Sequence, residues 1–398
     1  MTTFDEAIRI IGEKSVEGDR TAEIEITAAT GYVLAEEVVS DIDMPRFDRA
    51  MMDGFAIRRS DSPVRSFHRI VGTISAGDSL SVPLAEGECA RIMTGAPLPE
   101  AADTVVPQEE SEEEGEWVRF MRLPPRGAHI SPMGEDVRAG DVVLRRGTLL
   151  GPPGIGILAA AGRQTARVFA PPAVAFAATG EELVEPGEVL GPGRIWNSNA
   201  YMLQSQIAEA RALPHYLGIA RDREDDLRAK VTEGLGYDML VISGGVSMGR
   251  CDLVPPLLAE CGVRVFFRHV RVKPGYPTLF GARGKTLVFG LAGNPIATLF
   301  GFELYVRPVI RAFLRHPKPL AAFLRGELTE SVTKREGRTS LAPCICERED
   351  GRFLLTPIRT HGSADLFAVA GADSIAVLPE EKGTMGKGAV VRFCRIGK

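Results

Sequence analysis

Asp238-Met239-Leu240-Val241-Ile242-Ser243-Gly244-Gly245-Val246-Ser247-Met248-Gly249-Arg250-Cys251-Asp252 is the stretch from which the rest of the chain is read. Met239 to Ile242 is a short continuous apolar run, the pattern of a strand buried on both faces. Ser243-Gly244-Gly245 follows as a turn whose glycines can take positive φ and let backbone approach a ligand closely. A hydroxyl, Ser247, and a carboxylate, Asp252, come next, and Asp252 heads the apolar segment Leu253 to Leu258. That layout suits a polar-ligand site at the carboxyl end of a strand. It also suits a tight strand-to-helix connection with no chemistry, so the flanking sequence has to choose.

On both sides strand-like and helix-like segments alternate. Strands are expected at Val174–Ala178, His215–Ile219, Val263–Phe267 and Leu287–Phe289, and helices at Ala200–Arg211, Glu224–Glu233, Leu253–Glu260 and Pro295–Leu314. Such alternation implies a parallel sheet covered by helices on both faces. Asn199 and Asn294 are expected helix N-caps. Pro308 is expected to kink the last helix or to fall beside its end.

Further out, residues 5–17 have one apolar helical face, Ile24 to Ile26 is strand-like and Gly31 to Val39 helix-like. A proline-bounded polar loop from Asp43 to Asp53 leads into a strand begun by Phe55 and Ile57. From about 55 to 145 short strands are separated by Gly, Pro and acidic turns, a β-rich domain in which Glu109 to Glu116 reads as a solvated hairpin tip. Pro153 opens a helix and Pro171-Pro172 marks a boundary. Beyond Pro317, five strand-like runs (Leu324–Leu328, Ser340–Glu347, Phe353–Pro357, Ile375–Pro379, Ala389–Arg395) suggest a barrel or sandwich of roughly 75 residues.

A chain of 398 residues is long enough for two to four domains with cores of their own. Its 44% hydrophobic and 25% charged residues and net charge of −5 are those of an ordinary globular protein. No basic run argues for nucleic acid or a membrane surface. The longest apolar stretch, Thr286 to Val306, is interrupted by Gly293-Asn294-Pro295 and Glu303, so no transmembrane helix is expected there. The first residues are acidic and amphipathic, unlike a signal peptide. Of six scattered cysteines only Cys344 and Cys346 are close, a poor zinc pattern that reads as buried structural thiols. A cytoplasmic location is expected.

Each proposed parallel strand runs into a polar loop: Thr179-Gly180-Glu181-Glu182, Arg221-Asp222, Ser243 to Asp252, and Gly290 to Pro295. In an open α/β sheet these loops share one edge, where helix N-termini attract anions by roughly 0.3–1 kcal/mol each. Glu182, Asp222 and Asp252 would repel such an anion unless a hard cation such as Mg²⁺ mediates. Lys273 adds a fixed positive charge. No Walker motif or GxGxxG is present, which disfavours a P-loop NTPase or a nicotinamide enzyme.

At these residues the chain resembles the molybdopterin molybdenumtransferases, the family of bacterial MoeA and the E-domain of animal gephyrin. The resemblance rests on Phe47–Ala56, Ile92–Pro99, Ala102–Val106, Gly134–Gly140, Thr179–Leu183, Ser243–Asp252, Lys273–Pro277, Gly290–Pro295, Gly362-Ser363 and Ile375–Pro379, in order and spacing over nearly the whole chain. It implies an elongated homodimer of four-domain subunits. Residues 1–42 and 142–171 would form a split N-terminal dimerisation domain and 43–141 an inserted β-rich domain. Residues 172–318 would form a molybdopterin-binding-like α/β domain and 319–398 a C-terminal β-barrel. It implies a Mg²⁺-dependent reaction in which adenylylated molybdopterin and molybdate give molybdenum cofactor and AMP. The implied catalytic residues are Asp53, Thr94, Asp136, Glu182, Asp222 and Asp252, with Glu182, Asp222 and Asp252 on the metal. Substrate-binding positions are Ser243, Gly244, Gly245, Ser247, Arg268, His269, Lys273, Gly293, Asn294, Pro295 and Ser363. Asp53, Thr94 and Asp136 would act across a subunit interface. Further implied partners are the molybdopterin adenylyltransferase and molybdoenzymes or their chaperones.

Three positions depart from the family pattern: Ala292 replaces a proline, His129-Ile130-Ser131-Pro132 lacks an arginine, and His269, beside Arg268, replaces a lysine. The alternatives are a molybdopterin adenylyltransferase, a molybdopterin-binding carrier or scaffold, and a tungstate-specific insertase. A retained set of carboxylates favours the insertase, because a binder of an anionic ligand gains nothing from them.

Overall fold

The structure, a computed structural model, describes residues 1–59, 67–78, 83–221, 223–246, 253–320 and 323–397. It divides into two compact units, one of Met1–Ala35, Gly147–Gly151 and Arg167–Lys398, the other of Glu36–Arg146 and Pro152–Ala166.

The larger unit is built on a six-stranded sheet in the order Leu213–Ala220, Ala173–Thr179, Met239–Ser243, Thr286–Leu291, Pro277–Arg283, Arg264–His269. The first four strands are parallel. Pro277–Arg283 runs antiparallel to both neighbours. The sequence reading missed that strand because Pro274, Gly275 and Pro277 punctuate its start, although a proline fits the first residue of a strand.

Alternate residues of the central strands divide between two apolar clusters. Val174, Phe176, Met239, Val241, Leu287 and Phe289 face a cluster completed by Ala200, Leu203 and Ile207 of the Ser198–Glu209 helix and by Phe300. Ala175, Leu240, Ile242 and Val288 face Leu227, Val231, Leu257 and Leu258 of two other helices. A strand with period-two side chains and both faces covered must be apolar at every position, which is why Met239–Ser243 is buried throughout. The N-terminal helix Phe4–Lys14 starts on a Thr3–Glu6 capping box and lays Phe4, Ala7 and Ile11 on the first cluster.

One local expectation fails and another needs restating. Gly31 to Val39 is not helical: Gly31 takes φ +86°, and Leu34 N–H bonds the Thr148 carbonyl at 2.9 Å, with Ala35 N–H on Arg167 at 2.8 Å. Distant backbone supplies the partners that a helix would have supplied locally. Pro308, expected to kink the last helix or to fall beside its end, lies inside it, directly after a change in the helix's winding. Pro295–Gly301 continues through five π-helical residues, Phe302–Val306, into Arg307–Phe313. The wider turn just ahead of Pro308 makes room for its ring and missing N–H.

After Pro317 the chain forms a closed five-stranded barrel. Thr339–Glu349 pairs with both Arg352–Pro357 and Ser374–Leu378, and Val390–Arg395 joins Ser374–Leu378 to Leu324–Leu328, which pairs with Arg352–Pro357. Its interior holds Leu328, Cys344, Cys346, Leu355 and Phe393. Burial pushes the Cys344 thiol up to about 12, as befits a structural thiol. The short strand Val272–Lys273 adds to the barrel beside Thr339 and Ser340, which fixes the backbone of Lys273.

The smaller unit has a six-stranded sheet in the order Thr104–Pro107, Gly54–Ile57, Glu88–Ile92, Phe67–Ile74, Trp117–Phe120, Ser111–Glu114. The acidic run is the hairpin expected: Ser111–Glu114 turns through Gly115 onto Trp117–Phe120. Glu113 is paired with Arg91 at 2.8 Å, so the run is only partly a solvated face. Among the described residues no helix is long and apolar enough to cross a membrane.

Candidate active site

Three parallel strands end at one place. Ala173–Thr179 runs into Gly180, Met239–Ser243 into Gly244-Gly245, and Thr286–Leu291 into Ala292-Gly293-Asn294-Pro295, and these loop residues, with Thr179 and Ser243, line a cavity of about 1570 Å³. The loops meet backbone to backbone. Gly244 donates to the Leu291 carbonyl at 2.9 Å. Gly244 has φ +95°, and a Cβ there would lie 2.7 Å from the Thr179 carbonyl oxygen. Glycine is required at that point by conformation and by space together. Gly244→Ala is therefore expected to cost about 3 kcal/mol or more. Urea denaturation would measure it, and an unchanged midpoint would mean that the loops do not meet this closely.

The hydroxyl of Ser243 is buried and shared between Asn199, 3.0 Å away, and Thr298, 3.1 Å away. Thr298 in turn donates to Ala292 at 2.7 Å, and Asn199 also donates to the Gly293 carbonyl at 2.7 Å. Ser243 thus braces the loops. Asn199 is not the helix cap expected of it; Asn197 takes that role, accepting from Ala200 N–H at 3.2 Å. Two residues earlier in the chain is enough for the exchange, a shift that sequence alone does not reveal. Asn294 precedes its helix as expected but makes no side-chain cap; its amide donates to Ser363 Oγ at 2.8 Å.

Helix N-termini offer fewer free N–H groups at these loops than the sequence suggested. Pro295 has no N–H, and Ile296 N–H donates to the Ser363 carbonyl at 3.1 Å. The Glu224–Gly234 helix carries Glu224, Asp225 and Asp226 in its own first turn. Positive charge comes instead from side chains. Lys273, Arg338 and Arg359 line the cavity, together with Lys334 and Arg335, all but Lys273 from the barrel. Lys273 is exposed, and its ammonium makes no ion pair or hydrogen bond among the described residues. Arg338 lies 4.9 Å from the centre of the Tyr276 ring.

Arg268 and His269 are not among the cavity-lining residues. His269 stacks on Tyr276 with ring centres 5.0 Å apart, and burial, helped by Arg268, lowers its pKa, so it is neutral at pH 7. It supports a lining residue rather than a charge.

Of the expected metal carboxylates, Glu182 lines the cavity, whereas Asp222 and Asp252, like Ser247, lie outside the described residues. Among the described residues no three His, Cys, Asp or Glu side chains gather to hold a metal. What is at hand fits a hard cation: the Glu182 carboxylate, and at the root of its loop the Thr179 hydroxyl, buried and without a partner.

Asp53, Thr94 and Asp136 belong to the smaller unit, where hydrogen bonds knit their three loops together. Gly95 N–H donates to the Ala50 carbonyl at 2.8 Å, Met51 N–H to His129 at 2.9 Å, and Met133 N–H to the Asp48 carboxylate at 2.7 Å. Thr94 gives both its hydroxyl and its N–H to one oxygen of Asp53, each at 2.7 Å. These bonds, the hydroxyl's first, hold the Asp53 carboxyl below the usual range, so it stays ionised into mild acid. Arg49 reaches Asp136 at 3.4 Å.

These features define a multidomain α/β protein with a cavity lined by cationic and hydrogen-bonding side chains at the carboxyl ends of parallel strands, joined to a closed β-barrel. Comparison with known proteins makes the class specific. Residues 2–162 match the MoeA N-terminal region (domain I and II), 175–312 a probable molybdopterin binding domain, and 325–395 the MoeA C-terminal region (domain IV). The chain is 36% identical over 389 residues to the molybdopterin molybdenumtransferase of Bacillus subtilis, covering 94% of this chain and 89% of that one. Against the molybdopterin molybdenumtransferase of Staphylococcus aureus it is 32% identical, covering 93% and 90%. The crystal structure of the molybdopterin biosynthesis MoeA protein from Pyrococcus horikosii superposes with a TM-score of 0.80 at 30% identity, covering 100% of this chain and 99% of that one. The chain belongs to the molybdopterin molybdenumtransferase family.

Proposed function

We propose that this protein is a transferase of molybdenum cofactor biosynthesis that inserts molybdate into adenylylated molybdopterin and releases AMP. The observation that carries the reading is one cavity in which Glu182, Lys273 and the Asn294–Ser363 pair all take part. Molybdate is a small tetrahedral oxyanion. Lys273 supplies a mobile ammonium to it, and the Ser363 hydroxyl and Asn294 amide supply neutral hydrogen bonds. The dithiolene sulfurs of the pterin, not protein thiols, receive the metal, in keeping with buried cysteines throughout the barrel.

Mg²⁺ held by Glu182, with Asp222 and Asp252, would polarise the phosphoanhydride whose cleavage frees AMP. Glu182 is supported for this role by its place on the first strand's loop. The same reading includes a four-domain division into 1–42 with 142–171, 43–141, 172–318 and 319–398, and two copies of the chain that associate. Asp53, Thr94 and Asp136, gathered on exposed loops of the smaller unit, then serve the partner's cavity. That arrangement explains why an ionised carboxylate is built so carefully on a surface: Asp53 gains two hydrogen bonds and, among the described residues, no ion pair. The alternative of a carrier without turnover gives those loops no task.

A single-turnover assay with adenylylated molybdopterin and Mg²⁺ tests the reading. AMP is expected only when molybdate is added, and tight pterin binding without molybdate-dependent AMP would overturn it. A tungstate series in the same assay settles the choice of oxyanion. Lys273→Ala is expected to raise the molybdate concentration for half-maximal rate about ten-fold or more, the worth of one charge-assisted hydrogen bond. An unchanged dependence removes Lys273 from the oxyanion.

A further inference from the structure

Two large aromatic side chains line the same cavity and stay in solvent. Trp196 is 51% exposed and Phe367 is 94% exposed. Single exposed aromatics are common on a protein surface, but two that line the same cavity as its charged and hydrogen-bonding side chains offer apolar area that a ligand ring would cover. Neither is on loose chain. Ile195–Trp196 is a short strand parallel to Leu183–Val184, closed by hydrogen bonds from Ile195 N–H to the Glu182 carbonyl at 2.9 Å and from Asn197 N–H to Val184 at 2.8 Å. The Trp196 indole N–H donates to the Glu188 carbonyl at 3.3 Å, which sets the ring's orientation without covering its faces. Tyr201 and Tyr216 both donate to Glu185, anchoring the strand next to Trp196's.

Phe367 begins a tight 3₁₀ turn four residues after Ser363. The Asp365 carboxylate clamps that turn, accepting from Ala368 N–H at 3.2 Å and from His361 N–H at 3.0 Å. Val369 is buried beneath it, so the turn is rooted while the phenyl ring is free. Each aromatic residue thus follows closely, in register or in chain, on a polar position of the cavity: Trp196 pairs with Val184, two residues after Glu182, and Phe367 comes four residues after Ser363. An occupant that satisfies both sets of residues carries a charged group and a flat ring.

We propose that Trp196 and Phe367 form a stacking subsite for a fused bicyclic nitrogen heterocycle. The proposal rests on the functional reading above, in which the substrate has two such rings, adenine at one end and the pterin at the other. Stacking on aromatic side chains tolerates either, because both present a π-face, and it fixes the ring plane while the charged residues hold the phosphate or oxyanion. Neither residue was singled out by the sequence.

The chain has only two tryptophans, so Trp117→Phe, a surface change in the other unit, leaves Trp196 as the sole tryptophan, excited at the red edge of its absorption where the six tyrosines do not absorb. Titrating that variant with AMP, with 6-hydroxymethylpterin and with ribose 5-phosphate is expected to give saturable quenching by a ring-bearing ligand and none by the sugar phosphate; N-acetyltryptophanamide corrects for ligand absorbance. Quenching by AMP alone assigns the subsite to adenine, and by the pterin alone to the pterin. In turnover, Trp196→Ala and Phe367→Ala are each expected to raise KM for adenylylated molybdopterin about ten-fold with kcat nearly unchanged, and Trp196→Phe to recover most of it. Absence of quenching by both rings, with an unchanged KM in both alanine variants, overturns the proposal. That result would leave molybdate-dependent AMP release intact, whereas loss of AMP release from the wild-type protein overturns the functional reading and leaves the ring titration standing.

Discussion

Glu182→Gln is expected to slow molybdate-dependent AMP release by a factor of about 10² to 10³ at saturating substrate, with the fold unaltered. The amide has the shape of the carboxylate and lacks its charge, so the change isolates electrostatics. The loop gives no reason for it to rearrange. Ile195 N–H holds the Glu182 carbonyl at 2.9 Å, and the Arg221 guanidinium holds the Leu183 carbonyl at 2.9 Å. The carboxylate folds back over Gly180, where an added Cβ would fall 2.5 Å from Glu182 Oε2. No described cation neutralises it, so its charge is available to the cavity. Single-turnover AMP release, with the thermal midpoint as a control, makes the test. A rate within two-fold of wild type would take Glu182 away from the reacting centre.

Glu303→Ala carries the largest expected effect on stability, a loss of about 3–5 kcal/mol. Both oxygens of this buried carboxylate are fully used. Gln206 Nε2 and Arg307 Nη2 donate to one at 2.7 and 2.9 Å, and Arg307 Nε and Gly397 N–H to the other at 2.8 and 3.0 Å. Truncation would strand a guanidinium that is only 3% exposed, with Glu209 as its remaining partner. It would also free the last residues of the barrel from the helix that follows the Gly293 loop. The first thermal transition is expected to fall by about 10 °C, from a slope of roughly 2–4 °C per kcal/mol for domains of this size. Glu303→Gln, which keeps the shape and part of the hydrogen bonding, should lose less. Calorimetry would measure both, and a midpoint unchanged in Glu303→Ala would mean that the pair is not buried as described.

Neither variant could have been chosen from periodicity. Glu303 reads in the sequence as an interruption of an apolar run, useful only for excluding a membrane helix. Its partners Gln206, Arg307 and Gly397 are spread over nearly two hundred residues, and folding alone brings them together. Glu182 reads as one acidic residue among several loops, and it is the common end of the parallel strands that sets it opposite no cation and beside the glycine turns.

By itself the sequence determined the element types and most of their positions. The apolar run Met239 to Ile242, the alternation of strands with helices and the five strand-like runs after Pro317 all depend on local periods of 2 and 3.6 residues and on glycine and proline sterics, which act within a few residues. It also located Gly244, because a backbone that must approach another backbone at positive φ excludes a Cβ. Tertiary structure decided whatever depends on a distant partner. Gly31 to Val39 bridges to Thr148 and Arg167 instead of coiling, and the antiparallel strand Pro277–Arg283 is inserted between two others. Asn199 surrenders its cap to Asn197 in order to tie Ser243 to Gly293, and helix N-termini spend their N–H groups on the protein's own atoms. It also turned Trp196 and Phe367 outward into the cavity. A hydrogen bond or an exposed ring gains its meaning from what the fold sets beside it, and that neighbour is not written in the adjacent residues.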